Sequence, residues 1–310
     1  MLDARDGTIL QRISTERRRD EVDEPHGIVV SPDRRFWYVT LSHGEPSLWK
    51  YLLPSNRLVG RVDLGTYGAA RIGLTPTGGR AFIPDYYRSG QGQTSGLAVV
   101  ELLDLTIVDR PMVCPAPHDA QVDPAGARVA IACSLSDEVV ILDVTTLDEL
   151  GRFYVDDQPG PPGSPTFKPL NLLWSPSGDT LYVALHAAGE LRAFDTDGNV
   201  LGSVAVGAGP AQIALTRDGS TLVTANRIDG SASIIDLPAF EERARIPLQR
   251  PHPHGMALDD ADSTAYITYE GDISGLGGVV ALNLVDAEIV WTAEAGGYTL
   301  GIAYVPADSE

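Results

Sequence analysis

The sequence predicts an all-β chain folded as a seven-bladed β-propeller, with four-stranded antiparallel blades and a seventh blade closed jointly by N- and C-terminal strands. Two observations carry this: a phrase that returns along the whole chain, and strand-rich copies with no sustained helical period. Pro25-His-Gly-Ile-Val-Val-Ser-Pro-Asp33 leads into Phe36-Trp-Tyr-Val-Thr40, and Pro169-Leu-Asn-Leu-Leu-Trp-Ser-Pro-Ser-Gly178 leads into Thr180-Leu-Tyr-Val-Ala184. The phrase returns as Pro210-Ala-Gln-Ile-Ala-Leu-Thr-Arg-Asp-Gly219 with Thr221-Leu-Val-Thr-Ala-Asn226, and as His254-Gly-Met-Ala-Leu-Asp-Asp260 with Thr264-Ala-Tyr-Ile-Thr268. Weaker copies start near Arg71, His118 and Leu300.

The turns recur about 41 to 52 residues apart, the range of four-stranded propeller blades. Within a copy, an apolar strand, a Pro/Asp/Gly turn, a β-branched second strand and a stretch such as Val139-Val-Ile-Leu-Asp-Val144 read as successive antiparallel strands. Seven phrases, the last cut short at Glu310, predict one propeller domain over residues 1–310. The opening Leu2-Asp-Ala-Arg-Asp-Gly-Thr-Ile-Leu10 matches the outer half of a copy, so the two termini are expected to share the seventh blade. That blade lacks an evident second strand, which fits either a thin blade or residues removed ahead of Met1, such as a signal peptide.

Composition bounds the function. The chain has 310 residues, 43% hydrophobic and 21% charged, enough for a large core. With 42 acidic against 23 basic residues, the formal net charge of -19 repels phosphate backbones, so nucleic acid is not an expected partner. No apolar run reaches the roughly 20 residues of a membrane helix, so no transmembrane segment is expected. The first 20 residues hold Arg17-Arg18-Arg19-Asp20 rather than the apolar core of a signal peptide.

The phrase resembles that of the YVTN family of seven-bladed propellers, similar to the periplasmic YncE-type proteins, and the likeness runs through nearly the whole chain. Val223-Thr-Ala-Asn226 is the best match to the family tetrad, while Tyr38-Val-Thr-Leu41 and Tyr182-Val-Ala-Leu185 depart at the last position. The resemblance implies a fold and a periplasmic or secreted location, the signal peptide being absent from the given chain. It implies no activity, since propellers serve as enzymes, binding platforms and scaffolds.

The turns assigned to one face are short and generic, as in Ser31-Pro-Asp33 and Asp123-Pro-Ala-Gly126. The long insertions, 85–95, 156–168 and 270–275, fall on the other, as do all six histidines. His26, His118 and His254 share one repeat position at the start of the inner strand, bordering the central channel. His43 and His186 follow second strands, and His252 precedes His254. Imidazoles converging on one axis are what a copper or zinc site uses, which makes His26, His118, His254, His43 and His186 the candidate ligands. The same rings would equally serve as hydrogen-bonding groups between blades.

Arg71, Asp119, Asn171 and Gln212 share the next repeat position, where two other copies have Gly27 and Gly255. They could hold an anion or sugar-like ligand, Arg71 gripping a carboxylate, or pack the hub by hydrogen bonds between blades. Tyr86, Tyr87 and Tyr298 are candidates for the rim. Cys114 and Cys133 approach the same face and read as a disulfide, which would point to an oxidising compartment, as two buried thiols, or with Cys133 as a soft ligand beside His118.

The expected function is binding of a small molecule, metal ion or protein partner at the histidine-rich face. One alternative places a metal-dependent oxidase or hydrolase there, or a lactonase-like activity with His118 and Glu270 as acid and base; another makes the chain a scaffold subunit of an envelope assembly. No G-x-S-x-G occurs, and His43-Gly44-Glu45 lacks the downstream P-C-x-x-C of a zinc deaminase.

Overall fold

A computed structural model describes residues 1–15, 24–65, 68–86, 92–271 and 275–306. Each repeat phrase up to residue 296 becomes one antiparallel sheet. The first is β1 (Pro25–Val30), β2 (Phe36–Leu41), β3 (Ser47–Leu52) and β4 (Arg57–Asp63). The second is β5 (Gly73–Leu74), β6 (Arg80–Pro84), β7 (Thr94–Glu101), β8 (Thr106–Asp109) and β9 (Met112–Pro115). Here β8 and β9 both pair β7, so they form one outer strand, interrupted at Arg110-Pro111 because proline lacks the ladder donor.

The third sheet is β10 (Pro117–Val122), β11 (Arg128–Cys133), β12 (Glu138–Asp143) and β13 (Glu149–Tyr154). The fourth is β14 (Pro169–Trp174), β15 (Thr180–Leu185), β16 (Glu190–Asp195) and β17 (Val200–Ala205). The fifth is β18 (Pro210–Leu215), β19 (Thr221–Asn226), β20 (Ser231–Asp236) and β21 (Glu241–Pro247), and the sixth β22 (Pro253–Leu258), β23 (Thr264–Tyr269), β24 (Gly277–Asn283) and β25 (Glu288–Gly296). Within each sheet the strands pair in chain order, which is the four-stranded blade of a propeller.

The sequence predicts the first hairpin of each blade through its Ser, Thr or Asp. The side-chain oxygens of Ser31, Thr75, Asp123, Ser175, Thr216 and Asp259 each accept the backbone N–H five residues on, at 3.0–3.1 Å. The turns also stack on one another. Gly78, at φ +69°, lies under Pro32 of the preceding blade, and Gly126, Gly178 and Gly219 repeat that contact with Pro76, Pro124 and Pro176. Only glycine combines that positive φ with so close a neighbour. Core side chains fill the gaps between successive blades, as where Phe82, Leu97 and Val99 meet Val129, Ile131 and Val140. The second and third strands are buried, whereas outermost strands such as β13 and β17 alternate towards solvent.

The expectation of seven blades is overturned: among the described residues there are six. The seventh phrase, near Leu300, has no second strand to pair with, and residues 299–306 form no ladder. The N-terminal stretch makes only a single bridge with itself, Leu2 to Ile9. Both termini instead fill the space between the sixth and first blades with side chains. Leu2, Ala4, Ile302 and Tyr304 pack on Tyr266, Val279 and Ala281, and Ile13 packs on the Val39, Leu41, Trp49 and Tyr51 cluster of the first blade. Leu300 lends its carbonyl to Thr268 Oγ1 at 2.6 Å, as Ala70 lends its carbonyl to Thr40 Oγ1. On the opposite face an Arg34–Asp260 ion pair of 2.9 Å joins the first and sixth blades. The Arg17–Asp20 stretch lies outside the described residues.

Candidate functional site

Each fully formed inner strand starts with the same local device. In β1, β10, β14, β18 and β22 the register shifts directly after the opening proline, and the bulged stretch contains His26, His118, Leu170, Ala211 or His254. A bulge re-aims the side chain it carries, here out of the ladder and towards the axis. The three histidines are thereby brought together. The ring of His26 stands edge-on to both others, with centroids 6.0 Å from His118 and 5.3 Å from His254. Tyr86 presses edge-on against His118 at 4.7 Å.

Burial, reinforced by neighbouring cationic groups, holds all three imidazoles neutral. His26 and His254 are pushed down to about 3, and His118 lies well below the ordinary value of 6.5. His118 Nδ1 is engaged with the Leu170 carbonyl at 2.7 Å. Among the described residues His26 Nδ1, His254 Nδ1 and Arg71 Nη1 are buried without a well-formed hydrogen bond, although the Leu300 carbonyl lies close enough to His254 to raise its imidazole against the lowering by burial. These three residues line one small axial cavity of about 20 Å³ together with Gln212 and Gly301. That is room for one water-sized body or one small charged head.

The polar residues next to the histidines form a chain from blade to blade. Arg71 Nε lies 3.4 Å from Asp119 Oδ1. Asp119 is fully buried and already accepts from the backbone N–H of Ala120 and Leu172 and from the side chains of Gln121 and Asn171. Asn171 Oδ1 accepts from Ile213 N–H, and Gln212 donates to the Met256 carbonyl. Arg71 therefore shares a carboxylate whose lone pairs are spent elsewhere, and it retains an uncommitted donor.

Above this floor lies a second ring of polar groups. The residue after the second strand of each blade, in order Ser42, Asp85, Ser134, His186, Arg227 and Glu270, sits at the channel mouth. Arg227 grips Glu270 through two hydrogen bonds of 2.9 and 2.7 Å. His186 Nδ1 meets the Pro210 carbonyl at 3.2 Å, and burial pushes that imidazole down as well. His43 pairs with Glu24 at 3.1 Å, and burial raises the Glu24 carboxyl. Lys168, lowered by burial and by Arg227, has no carboxylate partner among the described residues. Arg227 and Glu24 escape a reading by motif, but the blade-equivalent position just after Val223-Thr-Ala-Asn226 marks Arg227.

The metal expectation meets a specific obstacle. Among the described residues, no group of three or more His, Cys, Asp or Glu side chains is arranged to hold an ion. His26 stands edge to face with each of the other two rings, and His43 and His186 are engaged elsewhere. Tyr298 is 69% exposed, with no hydrogen bond or ring contact to the cluster. Tyr87 lies outside the described residues.

Cys114 and Cys133 form a disulfide across the second and third blades, with Cα atoms 5.9 Å apart. No free thiol remains, so Cys133 is not a ligand beside His118. The 156–168 insertion is anchored by Asp137, whose carboxylate accepts the backbone N–H groups of Gly160, Thr166, Phe167 and Lys168 at 2.7–3.1 Å. Asp137→Asn keeps one acceptor oxygen and turns the other into a donor. The expected result is a loss of about 1–2 kcal/mol in urea denaturation and faster proteolytic nicking within 156–168.

No family model matches the chain, and no curated protein matches it. Its likeness to solved structures is one of fold. A chain of Kuenenia stuttgartiensis hydrazine synthase superposes with a TM-score of 0.76 at 18% identity, covering 94% of this chain and 93% of that one. The β-propeller domain of Myceliophteria thermophila Cps50 (Swd1) superposes with a TM-score of 0.74 at 11% identity, covering 92% and 91%.

Proposed function

We propose that this protein is a ligand-binding propeller whose channel face holds a small anionic ligand, with the charged head seated in the axial cavity beside Arg71. The observation that carries the reading is that His26, Arg71 and His254, each with a buried nitrogen that finds no hydrogen-bond partner among the described residues, line one cavity. Buried polar groups without partners are costly, and a bound group that accepts their hydrogen bonds removes the cost. An anion is favoured over a cation because Arg71 keeps a free donor and the imidazoles are neutral, able to donate or accept according to tautomer. At the mouth, Lys168 adds a positive charge with no carboxylate partner among the described residues, while Arg227 and Glu270 cancel.

The Cys114–Cys133 disulfide supports an extracytoplasmic place of action, since such bonds persist in oxidising compartments. The test is isothermal titration with chloride, formate, acetate and malonate against wild type and Arg71→Met. The expected result is binding of at least one of these anions by wild type and a loss of at least tenfold in the variant. Equal affinities in both proteins, or no binding by wild type, would remove the reading.

A further inference from the structure

A cleft lies away from the channel, where two of the long insertions, 85–95 and 156–168, come into contact through Gly92. Gly92 of the first packs so closely on Pro162 and Gly163 of the second that a Cβ there would come within 2.7–2.8 Å of their backbone. The cleft beneath this junction has a volume of about 390 Å³ and overlies Cys114. That is at the small end of the range for small-molecule sites.

The floor of the cleft combines donors and acceptors. Glu138 is only 8% exposed; one carboxylate oxygen takes a 3.3 Å bond from Arg152 Nη1, and the other has no partner among the described residues. Arg152 is fixed by Glu149 and by the Val113 carbonyl, which leaves one Nη1–H uncommitted. Ser136 is 3% exposed, and its hydroxyl is buried without a partner. Tyr154, 55% exposed, with Pro159 and Pro162, supplies flat apolar walls.

We infer that this cleft is a binding site for a neutral polyol, of the size of a mono- or disaccharide. Arg152 is shared between the Glu138 and Glu149 carboxylates, which leaves the floor net negative and disfavours an anionic ligand, while the guanidinium against Glu138 weakens the pull on a cation. Adjacent acceptor and donor sites match vicinal hydroxyls, one donating to the free Glu138 oxygen and the next accepting from Arg152. The Ser136 hydroxyl gains a partner when a third hydroxyl reaches it. The tyrosine face covers the apolar C–H side of a sugar ring while its hydroxyl edge stays wet. The site does not depend on the anion reading at the channel.

Saturation-transfer NMR on the full chain with D-glucose, D-galactose, D-mannose, N-acetyl-D-glucosamine, maltose and trehalose tests it. At least one sugar should bind wild type in the millimolar range. Tyr154→Ala should weaken it at least tenfold without moving the unfolding midpoint, because the ring is exposed; Tyr154→Phe should retain it, and Glu138→Gln should weaken it severalfold. Arg71→Met should leave it unchanged. Absence of saturation transfer from wild type to every sugar, or equal transfer in wild type, Tyr154→Ala and Glu138→Gln, would overturn the inference.

Discussion

Lowering the pH from 7 to 5 is expected to destabilise the protein steeply, because the unfolded chain takes up protons that the axial histidines refuse. His26 and His254 are held at about 3 in the fold, and His118 well below 6.5, by burial first and then by one another and by Arg71 and Arg227. The depressed native value means that their contribution is intact above the unfolded pKa of about 6.5 and is lost as the pH falls towards 3. Each such group costs about 1.4 kcal/mol per pH unit below that point, or on the order of 2 kcal/mol at pH 5.

Glu24, raised by burial, works in the opposite sense and offsets only part of this. Urea denaturation at a series of pH values reads the slope directly. His254→Gln, at the least buried of the three, should lower it by about one proton. A slope below pH 6.5 that His254→Gln leaves unchanged would show that the rings titrate normally. An anion beside Arg71 favours the protonated imidazoles, so anion binding should strengthen, and the acid sensitivity soften, as the pH falls.

Removing the disulfide should produce the second large effect. Cys114 and Cys133 are separated by 19 positions and join the interrupted outer strand of the second blade to the third. Closing a loop of that length is worth about 3 kcal/mol. The paired Cys114→Ser and Cys133→Ser changes should therefore lower the thermal midpoint by roughly 5 °C. Both cysteines are buried, 1% and 0% exposed, so dithiothreitol should act on the native protein only as fast as it opens. An unchanged midpoint in the double variant would show that the bridge contributes no net stability.

The repeat made the blade architecture legible without a structure, because a strand–turn–strand phrase with Ser, Thr or Asp at one position serves a single geometric purpose in every copy. The same periodicity placed His26, His118 and His254 on one axis. It failed at the ends. A seventh phrase reads as a blade when phrases are counted, yet a blade needs four strands with ladder partners, and Leu300–Tyr304 has none. The gap between the sixth and first blades closes instead through packing on Tyr266 and through contacts such as Arg34–Asp260, which leave no periodic trace in the sequence.

The site was legible in position but not in chemistry. Shared repeat positions brought the histidines together, whereas ring orientation depends on bulge geometry and on the Leu170 carbonyl that takes up His118. The committed state of Asp119 and the free donor of Arg71 are likewise properties of hydrogen bonds between blades. The cleft over Cys114 arises where two insertions more than 60 residues apart touch, a contact no local pattern encodes.

The most direct test of the anion cradle is a crystal of the protein grown in sodium bromide, measured at the bromine absorption edge. The account predicts an anomalous peak inside the axial cavity, within hydrogen-bonding reach of Arg71 Nη1 and of the His26 and His254 rings, and its disappearance in Arg71→Met. Clear density for water in that cavity with no anomalous signal would contradict it.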